Sequence, residues 1–410
     1  MPRATPTKKS YWRPRFARRR PLSWRKRRRG RRSFPRRSDS AVISSQYVII
    51  GAGFAGAATA YHLARLGVKE MVIVEQESVA GVHSSGRNAA MARQVVPDPA
   101  IAAMAREGAL FMRNLPADWP TPPIFQQRGS LLLSSGAGWQ KLVRDAEMAQ
   151  ERGVEVECWS AEKAKERVAV LEDAEFDGAV WCSTDGVVDI HALLGGYLKI
   201  AAIAGARVLY GRSVCEVEVL NGRVAEVKTS KESIKAEVVI NAAGAWTGAI
   251  GKLAGALEVP LRPLRRHLFV TVPLLWVNPS WPFVWDISHD LYFRPEAGGL
   301  LLCPCDQDEM VPGMPPTDST VAELLADKIR RYLPKASDVA IKNSWAGLRT
   351  FSADGRFVIG WDPKVKGFFW VAGLGGHGMT TSYAVGGLAA RLILGEESRF
   401  AKEFSPHRFL

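Results

Sequence analysis

Cysteine is scarce in this chain and poorly placed for chemistry. Its five thiols (Cys158, Cys182, Cys215, Cys303 and Cys305) are scattered over 410 residues. No CxxC pair exists, and the Cys303-Pro-Cys305 spacing suits neither a zinc knuckle nor a thioredoxin-type dithiol. Such a set reads as reduced, mostly buried thiols in a cytoplasmic protein, with no metal site and no disulfide scaffold. Long apolar runs are lacking as well. The longest candidate, Thr381 to Leu394, is broken by small residues and Arg391, falls short of the roughly 18 residues of a membrane span, and reads as a buried helix. Acids are nearly absent from residues 1–40, where 17 of the 55 Lys and Arg meet only Asp39. The remaining chain is therefore at −2, although the whole carries +14. The high net charge belongs to one segment, and the near-neutral body gives no ground for nucleic-acid binding.

That segment, residues 1–44 with its Arg run, is too polar and repulsive to bury a core. It reads as a disordered tail, an electrostatic anchor for nucleic acid or anionic lipid, an Arg-rich organellar transit peptide, a faint twin-arginine signal, or an overextended reading frame. The rest of the chain exceeds the size of one ordinary core, and two domains are expected.

The most informative run is "YVIIGAGFAGAATAYHLARLG", Tyr47 to Gly67. A short apolar strand runs into Gly51-Ala52-Gly53-Phe54-Ala55-Gly56, a GxGxxG loop. A helix periodic through Tyr61, Leu63 and Leu66 comes next, then a strand "MVIVE" ending at Glu75. Strand, glycine loop, helix and an acid about 20 residues on form the full context of a dinucleotide site. Gly51 permits the tight turn, Gly53 lets a pyrophosphate approach the backbone, and Gly56 lets helix and strand pack closely. The helix N-terminus faces the phosphates, and Glu75 can accept from ribose hydroxyls.

A second GxGxxG is missing, which argues against a separate nicotinamide domain. Instead, "HSSGRNAA" comes after the second strand. Two later strands run into small residues and then a helix, "VVINAAGAWTGAIG" from Val238 and "FFWVAGLGGHGMTTSYAVGGLAARL" from Phe368. Three such segments spread along the chain suit one long cofactor, FAD, gripped by a discontinuous Rossmann-like α/β domain.

From about residue 45 onward these motifs, with "DGVVDIHAL" and "WAGLRTFSADGRFVIG", make the chain similar to the FAD-dependent D-amino-acid oxidase, glycine oxidase and sarcosine oxidase family. It looks most like the bacterial dye-linked D-amino-acid dehydrogenases, D-arginine dehydrogenase among them. The resemblance implies an FAD-binding domain from 45–95, 190–260 and 340–400, an antiparallel-sheet substrate domain from 96–189 and 261–339, and a C-terminal tail at 401–410. It implies oxidative deamination of an amino acid, a D-amino acid first, with hydride passing from Cα to flavin N5. The imine then hydrolyses to a 2-oxo acid and ammonia, and quinone, dye or oxygen is the electron acceptor. Glycine, sarcosine or another secondary amine, or a 2-hydroxy acid, are alternative substrates. A noncatalytic flavin-binding assembly factor is the alternative role.

The resemblance also implies site residues. Arg349 in "WAGLRTF" would bind the substrate carboxylate, since a guanidinium fork matches two oxygens. Arg266 is a second active-site arginine, or else part of a solvated basic loop. Tyr292, on a hairpin turning at Glu296 to Gly299, is an active-site phenol or a core aromatic. Phe283, Trp285, Met91 and His377 would line the pocket. Besides the first loop, cofactor contacts are expected from Gln76, Ser84, Ser85, Arg87, Asn88, Ala89, Ala90, Val214, Ala243, Gly244, Trp246, Gly347, Gly375, Gly376, His377, Gly378, Met379 and Thr380. Binding is expected to be noncovalent. His83 is an optional attachment point, and no Cys after Cys305 exists to serve as another. Ser130 stands where an acid would suit a cationic substrate, and Met91, Arg93 and Val96 depart from the His and Tyr of related dehydrogenases. A preference for D-arginine is therefore not carried over, and an apolar or small amino acid suits the pocket equally.

Overall fold

The first strand, Ile43–Ile50, is buried along its second half and pairs in parallel on both sides. One neighbour is Met71–Glu75, reached through the helix Phe54–Arg65, and the other is Ser233–Asn241. Arg207–Tyr210 and Phe368–Ala372 extend the parallel set. The hairpin Val214–Leu220/Arg223–Thr229 and the strand Val358–Trp361 complete an eight-stranded sheet. These strands are Val- and Ile-rich because both faces are covered. One face packs on the helices Phe54–Arg65, Ile190–Ile203 and Ser382–Ile393, and the other on Ile250, Ala254 and the hairpin valines. This is a computed structural model, and it describes residues 43–122 and 124–410. The basic segment 1–40, with every reading attached to it, lies outside the described residues.

A second, nine-stranded sheet collects strands between residues 130 and 182 and between 261 and 352. Its pairs are antiparallel except Phe283–Asp286 beside Ser130–Ser134, which run parallel. The longest pairing joins Leu261–Thr271 to Ile341–Ser352. The strand carrying Arg349 therefore sits in this sheet and not in the parallel one, because its partner over eleven registered positions is Leu261–Thr271. A three-stranded sheet of Met91–Ala92, Gly186–Val188 and Phe125–Gln127 completes the set. By its contacts, 41–410 is one unit.

The expected hairpin is present. Glu296 pairs with Gly299, and Ala297 (φ 49°) and Gly298 (φ 80°) take the two left-handed positions of a tight turn. The run from Thr381 forms the helix Ser382–Ile393, with Val385, Leu388 and Ala389 buried. Two expectations at the ends need correction. Residues 43 and 44 already belong to the first strand. The segment 401–410 is packed rather than a tail: Phe404 is fully buried and stacks on Phe357 at 5.4 Å, while Arg408 binds Asp354 at 2.7 Å.

Candidate active site

The carboxyl ends of Ile43–Ile50 and Ser233–Asn241 meet at the glycine loop. Gly51 N–H donates to Val74 O (2.8 Å) and Ala242 N–H to Ile50 O (3.0 Å). In an open parallel sheet the crevice at such adjoining strand ends is where a ligand binds. Gly51 has φ +105°, and a Cβ there would lie 2.5 Å from Ala242 O. At Gly56 a Cβ would fall 2.0 Å from Gly51 O, so this glycine sets the close approach of helix and strand. Phe54–Arg65 starts with no acid in its first turn; Phe54 N–H donates to the Ser85 hydroxyl (3.0 Å), and the positive helix end faces the cavity, where it can meet an anion. Glu75 is buried and accepts from the N–H groups of Ala52 (2.9 Å) and Glu77 (3.0 Å).

A cavity of about 430 Å³ runs from this loop to the nine-stranded sheet. It brings together nearly all the residues singled out from the sequence, from Glu75 and Gln76 to Arg349, Arg266, Tyr292, Trp285, Met91 and His377. Four stand off it. Gly56 is spent on helix–strand packing. Arg87 turns away to donate to Val82 O and Ala346 O, both at 3.1 Å. Gly347 lies beneath Arg87 and Arg349, where a Cβ would meet both within 3.1 Å. Phe283 shares the face of Trp285, but two residues along a strand is about 7 Å. That shift carries it under the helix Gly136–Glu151, among Leu132, Leu142 and Val180, fully buried.

Strand register explains how the polar end forms. Arg266 faces Gly347, so Arg349, two residues on, is its diagonal neighbour on the same face. Trp285 faces Tyr292, which faces Cys303, continuing that face. Arg349 Nη2 donates to Arg87 O (3.2 Å) and Arg266 Nε to Asp306 O (3.0 Å). Among the described residues neither makes an ion pair. Burial pushes the Tyr292 phenol well above its ordinary range, so it stays a donor. His377 is held down to about 3 by burial and by Arg93, and is neutral at any ordinary pH.

His83 also lines the cavity, with its ring 4.6 Å from Trp246 and Nε2 at 2.8 Å from Glu77 Oε1. Sequence reasoning did not assign Arg93, Arg212, Asp290, Gln307 or Phe351 to the cavity. For Arg93 a signal existed: it lies two residues after Met91 in extended chain, so both face one way. For Phe351 the same signal existed, two residues after Arg349 on its strand; Arg212, Asp290 and Gln307 sit in loops, with no period to place them.

The profile of the FAD dependent oxidoreductase family matches residues 46–392. The chain belongs to that family. FAD is its cofactor, and the helix end facing the cavity, the glycine approaches and the cavity joining them to the arginines fit that group. The chain is 25% identical over 369 residues to human mitochondrial sarcosine dehydrogenase, covering 86% of this chain but 40% of that one. It therefore spans about two fifths of that relative's length. It is 26% identical to the bovine FAD-dependent oxidoreductase domain-containing protein 1, covering 85% of this chain and 81% of that one. In fold it is similar to L-proline dehydrogenase from P. horikoshii, with TM-score 0.82 and 24% identity over 90% of this chain and 98% of that one.

Proposed function

We propose that this member of the family oxidises an amino acid or other carboxylated amine at the carbon beside its nitrogen. One observation carries the reading. Arg349 and Arg266 lie side by side on one sheet face, without ion-pair partners among the described residues, at the far end of the cavity that begins at the dinucleotide loop. Leaving a guanidinium buried and unpaired costs several kcal/mol, and a ligand carboxylate would offset that cost. When bound, FAD supplies the acceptor for a hydride from substrate Cα.

The chain's own part is to bind and orient. Gly51, Gly53 and the Phe54–Arg65 N-terminus would hold the pyrophosphate, and Glu75 the ribose. Ala243–Trp246 and Gly375–Thr380 would line the remainder. Arg349 grips the carboxylate, with Arg266 beside it and Tyr292 donating its hydroxyl hydrogen. Trp285 and Met91 exclude water from the reacting carbon. Beside the arginines, neither Tyr292, which keeps its proton, nor His377, a very weak base, is placed to take the amine's proton. The amine is therefore deprotonated on arrival or gives its proton to water, and the imine formed from a primary amino acid hydrolyses to a 2-oxo acid and ammonia.

The first substrate class to test is D-amino acids, on the motif resemblance. Sarcosine and L-proline come next, on the names of the similar proteins. We place the two sheets as a cofactor half and a substrate half, binding as noncovalent, and the compartment as cytoplasmic, in keeping with five free cysteines. The test is anaerobic bleaching of the flavin band by D- and L-amino acids, glycine, sarcosine and proline, followed by readmission of air to separate oxidase from dehydrogenase. A flavoprotein that no amine bleaches would overturn the reading in favour of a hydroxy acid or a noncatalytic role.

A further inference from the structure

Arg349 and Arg266 suffice for one carboxylate. A third guanidinium in the same cavity is left over. Arg93 comes directly after the short strand Met91–Ala92, which is fixed by antiparallel pairing to Gly186–Val188. Its guanidinium carbon lies 4.3 Å from the centroid of Trp285, whose ring is 4.9 Å from that of Tyr292. Arg93 thus stands across the Trp285–Tyr292 pair from the other two arginines, with all five side chains facing the cavity.

No acid among the described residues contacts it, and Asp185 and Asp145 act on its charge only from a distance. Arg93 makes no ion pair and no side-chain hydrogen bond there. The buried acid nearby, Asp185, is already engaged by Gln94 N–H (3.1 Å), Gln94 Nε2 (2.9 Å) and the Ser130 hydroxyl (2.7 Å). Asp145, also close enough to influence Arg93, lies on the helix Gly136–Glu151 and not on the cavity. Asp290 does line the cavity, but at an exposed turn. Arg93 is half-buried, and stacking on tryptophan replaces only part of the hydration its guanidinium gives up. An arginine cannot escape by losing its proton. What would satisfy Arg93 is a planar anion presented from inside the cavity.

We propose that the substrate carries a second carboxylate, bound by Arg93, so that the preferred class is an acidic amino acid or an N-carboxyalkyl amine rather than a neutral one. This rests on the amine-oxidation reading above for the reaction, but not for the binding. Arg349 and Arg266 take the carboxylate next to the reacting carbon. Arg93 takes the distal one, and the Trp285 face spans the carbons between. Ser130, which the sequence offers as a place where an acid would hold a cationic side chain, instead donates to Asp185. Neither Ser130 nor Asp185 lines the cavity, whereas Arg93 does.

The test uses the purified flavoprotein and two readouts. The first is binding of inert acids that lack the amine, followed by the flavin difference spectrum and by calorimetry. Succinate and glutarate should bind at least tenfold more tightly than butyrate, or than the corresponding monoamides. Arg93→Gln should reduce that ratio to about twofold, and Arg93→Lys should keep part of it. The second readout is anaerobic reduction by both enantiomers of aspartate and glutamate against asparagine and glutamine, and by iminodiacetate against sarcosine. The acidic member of each pair should lead by about 10- to 100-fold in kcat/KM, and that ratio should collapse in Arg93→Gln.

Flavin content and thermal unfolding establish that each variant is folded, and Arg93→Lys carries the test if Arg93→Gln does not fold. Equal binding of mono- and dicarboxylates overturns the inference while leaving amine oxidation standing. So does an Arg93→Gln variant that weakens both classes equally, or that alters only flavin reoxidation. Selective dicarboxylate binding in a protein that no amine bleaches upholds the second anion site and overturns the amine reading instead.

Discussion

The two ends of the cavity recognise their ligands in opposite ways. At the parallel-sheet end the work is done largely by backbone and by missing side chains: Gly51 beside Ala242 O, Gly56 against Gly51 O, and a helix start with no acid in its first turn. At the nine-stranded end it is done by side chains projected from alternate strand positions, with Arg266, Arg349, Tyr292 and Trp285 on one face. At Gly51 and Gly56 the first end tolerates no added atom. The second tolerates substitution sterically but depends on charge. Cofactor and substrate binding should therefore fail separately.

The largest effect belongs to Gly51. Gly51→Ala puts a Cβ 2.5 Å from a backbone oxygen at φ +105°, and neither partner can move. FAD affinity should fall by about 100-fold or more, seen as colourless protein after purification. Gly53→Ala is a graded control, because its Cβ meets only the rotatable Ser85 hydroxyl at 2.9 Å. If both lose FAD equally, steric closeness is not what distinguishes this end.

Next comes Arg349→Met, which should keep its FAD yet lower kcat/KM for the best amine by about 100- to 1000-fold. Loss of FAD together with activity would mean that the ends are not separable. Arg266→Gln should cost less, about tenfold, because its Nε is already committed to Asp306 O. Steady-state kinetics on both variants ranks the two arginines.

A smaller effect is expected in pH dependence. Burial holds His62 down to about 4 and His377 to about 3. The unfolded chain therefore takes up protons at these sites first as pH falls. Their contribution to stability is complete above about 6.5 and is lost progressively toward 4 and 3. Asp185, raised to about 6 by burial, acts in the opposite sense, losing stability as pH rises from 3.8 through 6. Two histidines outweigh one acid, so the urea midpoint should drop between pH 7 and 4.5, and His62→Gln should flatten the drop. A midpoint that climbs on acidification would contradict these burials. The smallest effect should come from deleting residues 1–40, which should leave flavin content within about twofold, since that segment has no composition for a core.

Much of the first end was legible in the sequence. The spacing of Gly51, Gly53 and Gly56, and an acid at Glu75 after a second apolar strand, encode local geometry that a short window contains. The second end was only partly legible. Arg349 and Tyr292 were found through their motifs, but nothing in the order of residues shows that Arg266 opposes Gly347, or that Trp285 opposes Tyr292. Phe283 illustrates the failure: alternation gives its face correctly, yet the helix packed over it decides whether that face is cavity or core. Arg93 illustrates the converse, a charge marked in the sequence only as a departure from the His and Tyr of related dehydrogenases, which becomes informative once no acid is found in contact with it.

The sequence by itself determined the dinucleotide loop, the alternation of strands and helices around it, and the confinement of net charge to residues 1–40, because each depends on neighbours in the chain and on composition. Tertiary structure alone decided that Ile341–Ser352 joins the antiparallel sheet, that 401–410 packs through Phe404, and that Arg93, Arg266 and Arg349 line one cavity. Those outcomes depend on which distant strands pair and which buried charges remain without a partner, and pairing across hundreds of residues leaves no local periodicity to read.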